Sequence, residues 1–128
     1  MPFEPIKLAP RGTNRITLDK LGRVMLSKRT RVEMKLDPYQ YIVAAIDVDK
    51  KRVGLAKQEL AKVPNATAVK MDKRGYLSPR LGRMIADKLA LNLDHAPHYF
   101  EYIGRIDEGG VYWYGFELVD ESALGKFV

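Results

Sequence analysis

The sequence predicts a mainly β domain with short helices, an α+β arrangement built from two copies of one pattern. The first observation is a repeat, because the tetrapeptide DKLG at 19–22 returns as DKRG at 72–75, 53 positions later. The second is a series of short β-prone runs separated by turn residues, in the same order after both tetrapeptides. The third is a serine that can cap a short helix in each copy. Such spaced similarity is typical of a duplicated fold.

The first copy opens with two short strands joined by a turn. Residues 15–18 alternate polar and apolar side chains, as a strand with one buried face does. In the turn that follows, Gly22 can adopt a positive φ angle and the Asp19 carboxylate can accept hydrogen bonds from the backbone. Apolar residues at 24–26 resume the strand, which predicts a hairpin.

A short helix and a second hairpin complete the first copy. Ser27 is a good N-cap, and the helix is predicted to run to about Leu36, because the residue before Pro38 avoids helical backbone. The segment 41–48 is rich in β-branched and aromatic residues, and 52–56 can pair with it across a short turn.

The second copy repeats this order with longer elements. Ser78 followed by Pro79 predicts a helix start, and apolar residues at helical spacing extend that helix to about Leu91. A long hairpin follows, with strands at 99–106 and 111–119. The offset between matching residues grows from 53 at the first turn to 58 at the last hairpin, so the second copy contains a longer central segment.

These patterns divide the chain into five parts, of which the two repeats are expected to form one domain. Pro64 and Asn65 mark the seam between the copies, since both residue types interrupt regular structure. The parts are an N-terminal arm at 1–14, a first repeat at 15–57, a linker at 58–66, a second, degenerate repeat at 67–119 and a C-terminal tail at 120–128.

The composition favours a folded, basic protein. Hydrophobic residues make up 46% of the 128, enough for a core. Lys and Arg number 22 against 16 Asp and Glu, a net charge of +6 that favours polyanionic partners. The absence of cysteine excludes disulfides and suits a reducing cytosol. We expect no membrane span and no signal peptide, because no apolar run approaches roughly 18 residues and the N-terminus lacks an apolar region.

The charge is unevenly distributed along the chain. Residues 1–63 contain 14 Lys and Arg and 7 Asp and Glu, a net charge of +7, whereas residues 64–128 contain 8 and 9, a net charge of −1. This asymmetry predicts that the first repeat dominates any surface that binds a polyanion.

Over residues 14–57 the chain resembles the AbrB/SpoVT family of swapped-hairpin DNA-binding domains. Members typically read D-x-x-G-R, then three hydrophobic residues, then P-x-x-x-R. Ser27 stands where proline is usual. The sequence matches the pattern at Asp19, Gly22, Arg23, the apolar triple 24–26 and Arg31.

The tandem arrangement is similar to that of the MraZ family, a two-repeat relative with the signature D-x-x-x-R. Asp19 and Arg23 fit this signature. In the second repeat, Asp72 is followed at the same spacing by Tyr76, so the arginine is missing there.

The resemblance implies both a fold and a partner. The fold is a swapped-hairpin β-barrel in which two copies interlock about a pseudo-twofold axis, and here one chain supplies both copies. Interlocking also removes sheet edges that a small isolated hairpin would leave open. The family binds duplex DNA through arginines on the paired first hairpins and the helix that follows. The candidate DNA-binding residues are Arg15, Lys20, Arg23, Lys28, Arg29 and Arg31 in the first repeat and Lys73, Arg74, Arg80 and Arg83 in the second.

Several of these residues have a second interpretation. Arg23 either contacts DNA or forms an ion pair with Asp19. The basic run 28–31 either clamps phosphate or forms a solvated helix face. Asp19 and Asp72 are interpreted as turn caps rather than as catalytic carboxylates.

Two further motifs have an ordinary structural interpretation that we favour. His95 and His98 stand at a spacing open to metal ligation, but without cysteine or another ligand pair we expect a loop before a strand. The aromatic triplet 112–114 is interpreted as core and interface rather than as a stacking platform for single-stranded bases. No nucleotide-binding loop or nucleophile motif is visible, so we predict no enzymatic activity, no cofactor and no metal.

The sequence therefore predicts a DNA-binding transcriptional or nucleoid regulator of bacterial or phage type, located in the cytoplasm with the nucleoid. RNA binding remains open, as does a protein-interaction module that is antitoxin-like or binds RNA polymerase. Assembly with a second copy of the chain and contact with the transcription machinery also remain open.

Overall fold

The computed structural model describes Phe3, residues 13–61 and residues 63–119, and within these residues it contains one eight-stranded antiparallel sheet and two α-helices. Most of the predicted N-terminal arm and the whole predicted tail at 120–128 lie outside the described residues. The elements are β1 (Arg15–Leu18), β2 (Val24–Leu26), α1 (Lys28–Glu33), β3 (Tyr41–Asp47), β4 (Arg52–Lys57), β5 (Val69–Lys70), β6 (Tyr76–Leu77), α2 (Pro79–Lys88), β7 (His98–Glu108) and β8 (Val111–Leu118).

The mainly β prediction is confirmed, and so is the repeated order of two strands, a helix and two strands. Strands β1 and β2 occupy the predicted positions. The last hairpin is longer than the first, with 11 and 8 residues in β7 and β8 against 7 and 6 in β3 and β4. This difference agrees with the longer central segment that the growing offset indicates.

Helix α1 ends three residues earlier than predicted, at Glu33 rather than near Leu36. Lys35 adopts a left-handed conformation with φ of 54°, and the N–H of Leu36 donates back to the carbonyl of Arg31 at 2.8 Å. This is a Schellman-type stop, which normally uses glycine or asparagine. Because lysine carries no such signal, Pro38 was the only stop visible in the sequence.

Helix α2 ends by the same device, at Lys88 rather than near Leu91. Ala90 has φ of 55°, and the N–H of Leu91 donates to the carbonyl of Ala86 at 2.8 Å. In both helices the leucine after the left-handed residue packs against the core. Burial of that leucine therefore supports a left-handed conformation that alanine and lysine do not favour by themselves.

The sheet curls into a nearly closed barrel. Its strand order is β5-β3-β4-β8-β7-β1-β2-β6. The two outermost strands, β5 and β6, are consecutive in the chain, and in the turn between them the N–H of Asp72 donates to the carbonyl of Tyr76 at 2.9 Å. Near closure leaves few unpaired edges in this sheet.

Strands of the two predicted repeats alternate around the barrel. β1 pairs with β7, β2 with β6, β3 with β5 and β4 with β8, so every strand of 15–57 has a neighbour from 67–119. Ile16 lies opposite Phe100, for example, and Val53 lies opposite Phe116. The inner faces of both segments therefore enclose one core. Its fully buried large side chains are Ile16, Leu18, Val24, Leu26, Ile42, Val53, Leu55, Met71, Ile85, Leu89, Phe100 and Phe116.

The predicted linker at 58–66 packs on the outer face of the sheet. Ala61 is buried with Val43 and Ala56, and Val63 and Trp113 pack against this second cluster. Trp113 lies over Gly54, where an added Cβ would come within 3.2 Å of the tryptophan Cβ. The segment between the repeats is thus attached to the barrel by apolar contacts along part of its length.

Candidate nucleic-acid interface

The carboxylate of Asp19 organises the turn between β1 and β2. Its Oδ1 accepts hydrogen bonds from the backbone N–H groups of Leu21 at 3.0 Å and Arg23 at 2.8 Å. Gly22 has φ of 84°, a conformation that side chains with a Cβ rarely adopt. The predicted turn roles of Asp19 and Gly22 are confirmed, and the turn leaves Lys20 and Leu21 exposed at its tip.

The turn between β5 and β6 has the same construction. Asp72 Oδ1 accepts from the N–H groups of Arg74 at 2.8 Å and Tyr76 at 2.9 Å, and Gly75 has φ of 93°. The slight burial of Asp72 by itself raises the pKa of its carboxyl group. Hydrogen bonds from the turn backbone and the positive charge of Arg74 outweigh that effect and lower the pKa below its ordinary value of 3.8. The carboxylate is therefore stabilised in its charged form.

The turn at 19–22 rests on helix α2, which belongs to the other predicted repeat. The carbonyl oxygen of Gly22 lies so close to Gly82 that a Cβ on Gly82 would overlap it. A Cβ on Gly22 would in turn meet the Cγ of Arg83 at 2.8 Å. Gly82 therefore allows direct contact between turn backbone and helix backbone, and it brings Arg83 next to the turn that carries Lys20.

The turn at 72–75 rests on the first turns of helix α1 in the corresponding way. The N–H of Leu26 donates to the carbonyl of Gly75 at 2.8 Å. A Cβ on Gly75 would lie 2.9 Å from Nε and 3.1 Å from Cδ of Arg31. Here an arginine side chain, rather than a glycine, forms the contact between helix and turn.

These contacts sort eight of the ten predicted DNA-binding residues into two sets, each drawn from both repeats. Lys20, Lys28, Lys73, Arg74, Arg80 and Arg83 are exposed, whereas Arg23 and Arg31 are half-buried. The net charge of each half of the chain therefore does not measure the charge of either set. The first basic group consists of Lys20, Arg23, Arg80 and Arg83, and the second basic group consists of Lys28, Arg31, Lys73 and Arg74.

The remaining two predicted residues, Arg15 and Arg29, are both half-buried. Arg15 lies over the ring of Tyr99 with its guanidinium carbon 4.9 Å from the ring centroid, and its Nη2 donates to Thr13 Oγ1 at 3.2 Å. Arg15 is thus engaged with its own strand and its neighbour, and the described contacts do not join it to either basic group.

Both interpretations of Arg23 are compatible with its surroundings. Its Nε donates to Asp19 Oδ2 at 2.7 Å, so the ion pair is present, yet 38% of the side chain remains exposed. Its guanidinium carbon lies 4.9 Å from the centroid of the Tyr76 ring. The ion pair orients Arg23 and leaves part of it accessible to a ligand.

Helix α1 is anchored so that its basic residues face outward. Ser27 Oγ accepts the N–H of Thr30 at 3.2 Å, as expected of the N-cap. Thr30 is fully buried, and its Oγ1 donates to Asn14 Oδ1 at 2.6 Å. With this face held against the strand that contains Arg15, Lys28 is left exposed at the helix start.

A basic groove of about 440 Å³ lies between α1 and the second turn. Sequence analysis did not single out Lys35, which joins this lining because the helix ends early and reverses direction there. The Nε of Arg31 is buried and has no hydrogen-bond partner among the described residues. The cationic lining consists of Lys28, Arg31, Lys35 and Lys73, beside the carboxylate of Asp37 and the side chain of Met71.

The histidines take structural positions. His98 is 8% exposed at the start of β7, and its Nε2 lies 2.8 Å from the carbonyl oxygen of Asn92. His95 is exposed. No group of three or more potential metal-ligating side chains occurs among residues 13–61 and 63–119.

The aromatic triplet 112–114 is divided between the two faces of β8. Trp113 packs on the outer cluster and Tyr114 against the core, while Tyr112 is 58% exposed with Arg105 at 5.3 Å from its ring centroid. Trp113 also lines a second concavity of about 650 Å³ at the ends of the long hairpins, with Val63 and Pro64. None of the ten predicted DNA-binding residues lines that concavity.

Neither helix in the described part of the chain is long and apolar enough to cross a membrane. No protein-family model, no curated protein and no solved structure matches this chain.

Proposed function

We propose that this protein binds duplex DNA through its two basic groups. The observation that carries the proposal is the crossed pairing of turns and helices, which gives each group cations from both repeats. Of the described acids, Asp19 and Asp72 ion-pair with members of these groups, and both carboxylates also hold the turn backbone. Most of the positive charge is thus available to phosphates, whose neutralisation dominates the affinity of proteins for DNA.

The arrangement suits a duplex because it has two related parts. A duplex carries two antiparallel strands related by local dyads, and proteins with matching twofold symmetry commonly exploit them. In this chain each basic group consists of a rigid Asx-type turn and the first residues of a helix. One chain can therefore present two similar cationic surfaces to the two phosphate backbones.

For the fold, we propose a single-chain form of the swapped-hairpin barrel, similar to the AbrB/SpoVT and MraZ families. The support is the strand order. If each strand is exchanged with its counterpart in the other repeat and the barrel is treated as closed, the order β5-β3-β4-β8-β7-β1-β2-β6 is unchanged. Pairing of β1 with β7 and of β3 with β5 is the pairing expected when each repeat contributes strands to the other's sheet.

The biological role we propose is that of a transcriptional or nucleoid regulator of bacterial or phage type that acts in the cytoplasm. Contacts made mainly by turn and helix cations to phosphate confer affinity, whereas sequence preference would come from base edges or DNA shape. The dominance of the first repeat, expected from the charge of each half, stays a prediction within this proposal.

The test is a fluorescence-anisotropy titration of the full chain with labelled duplex DNA, single-stranded DNA and double-stranded RNA at several salt concentrations. We expect tightest binding to the DNA duplex and an apparent affinity that falls linearly with salt on a log–log plot. A variant with Lys20, Arg23, Lys73 and Arg74 changed to alanine should bind much more weakly. The matched control changes Lys50 and Lys88, two exposed lysines outside both groups.

Three outcomes would contradict the proposal. Preferential binding of double-stranded RNA would favour the RNA alternative. Equal losses from the quadruple variant and the control would show that binding follows net charge rather than these groups. An absence of nucleic-acid binding would favour the protein-interaction alternative.

A further inference from the structure

Tyr76 occupies the position at which the second repeat lacks an arginine, and the structure gives its ring a distinct location. Tyr76 lies in β6 opposite Met25 of β2, so its ring sits where the two repeats meet. The guanidinium carbon of Arg23 is 4.9 Å from the ring centroid, and that of Arg74 is 5.1 Å away. One aromatic ring thus contacts an arginine from each repeat and from each basic group.

Each of these arginines has only one other printed anchor, the carboxylate of its own turn. Arg23 Nε is 2.7 Å from Asp19 Oδ2, and Arg74 Nη2 is 3.7 Å from Asp72 Oδ2. Their side chains are 38% and 68% exposed, respectively. An exposed arginine with one long ion pair samples many rotamers, and ordering it on binding costs conformational entropy. A second contact with a rigid ring reduces the number of rotamers that Arg74 above all can sample.

We infer that Tyr76 is a positioning residue for phosphate recognition: its ring pre-orders Arg23 and Arg74 so that cations from both repeats act on one nucleic-acid backbone as a unit. This inference rests on the proposed DNA-binding function. Tyr76 carries no charge and contributes by holding the two guanidinium groups, which lie over its π face as cations prefer. The ring, rather than the hydroxyl group, is the part that acts.

Positioning and direct charge contact differ in their salt dependence. Removal of an arginine that touches phosphate lowers the slope of log affinity against log salt by about one unit. Removal of the ring leaves both charges in the chain, so affinity falls while the slope is retained. Replacement by phenylalanine keeps the ring and should preserve affinity.

The experiment compares Tyr76→Leu and Tyr76→Phe with wild type in titrations of a labelled DNA duplex at several salt concentrations. Tyr112→Leu is the matched control, because Tyr112 is also an exposed tyrosine with an arginine, Arg105, over its ring, but it lies outside both basic groups. Urea unfolding of each variant establishes that the fold is retained. For the free protein, the NMR shifts of the Arg23 and Arg74 Nε–Hε groups report whether they lie over an aromatic ring.

We expect Tyr76→Leu to bind about threefold to tenfold more weakly with an unchanged salt slope, as suits the loss of exposed cation–π contacts. Tyr76→Phe and Tyr112→Leu should bind like wild type. The inference is overturned if Tyr76→Leu retains full affinity, or if Tyr76→Phe loses as much as Tyr76→Leu. The NMR comparison decides independently of DNA: ring-current shifts that persist in Tyr76→Leu would overturn the positioning role even if wild type binds tightly. If wild type binds no duplex but the shifts vanish in Tyr76→Leu, the proposed function fails while the pre-ordering of the two arginines stands.

Discussion

The two turns have nearly the same backbone, but they meet their helices in different ways. At 19–22 and at 72–75 an aspartate accepts two backbone N–H groups and a glycine takes a positive φ angle. Four residues after the N-cap serine, however, α2 has Gly82 and α1 has Arg31. The first turn therefore lies on helix backbone, and the second lies on an arginine side chain. Turn geometry is thus a local property, whereas the distance from turn to helix depends on one residue in the other repeat.

The largest effect should come from separating the two halves. Residues 1–63 expressed alone should be unfolded or fold only as a dimer, because every strand of 15–57 pairs with one from 67–119 and a single repeat encloses little core. Circular dichroism and analytical ultracentrifugation provide the measurement, with the full chain as control. A stable folded monomer of this fragment would show that the repeats are independent domains.

The next largest effect should come from Gly82→Ala. A glycine-to-alanine change in an ordinary helix interior stabilises by about 0.5–1 kcal/mol. At Gly82 the added Cβ would overlap the carbonyl oxygen of Gly22, so we expect the opposite sign and a loss of about 3 kcal/mol. Urea unfolding measures the difference. Ala86→Gly in the same helix is the control for helix propensity, and a Gly82→Ala variant more stable than wild type would contradict the close contact.

The arginines that meet the two turns should act on binding more than on stability. Arg23→Ala combined with Arg31→Ala removes one cation from each basic group and should lower the salt slope of duplex binding by about two units. The same titration with the Lys50→Ala, Lys88→Ala control should leave the slope nearly unchanged. An unaltered slope in the arginine variant would remove both residues from the DNA-binding surface.

The smallest effect should be the acid sensitivity of the second turn. The folded pKa of Asp72 lies below its ordinary value of 3.8, so its charged form stabilises the fold above that pH. This stabilisation is lost as the pH falls through the folded pKa. Asp72→Asn keeps an oxygen that accepts the two N–H groups but cannot titrate, so its urea midpoint should change less than that of wild type between pH 7 and pH 3. Equal changes in the two proteins would show that Asp72 does not contribute.

Features encoded by neighbouring residues were predictable. Asp19, Gly22 and Ser27 each act within a few residues of their own position, through a side-chain hydrogen bond or an allowed φ angle, and all three take the predicted role. The growth in repeat offset likewise indicated the longer final hairpin. The helix ends were missed, because Lys35 and Ala90 adopt left-handed conformations that depend on burial of the next residue in the core.

The sequence by itself determined the order of elements, the construction of both turns and the inventory of cations, because each depends on residue type and short spacing. Only the tertiary structure decided which helix each turn contacts. Pairing of β2 with β6 places the turn of one repeat on the helix of the other and brings Tyr76 beside Arg23. These neighbours are more than 50 residues apart in the chain. Their proximity depends on sheet register and on a shared core, which no local pattern encodes.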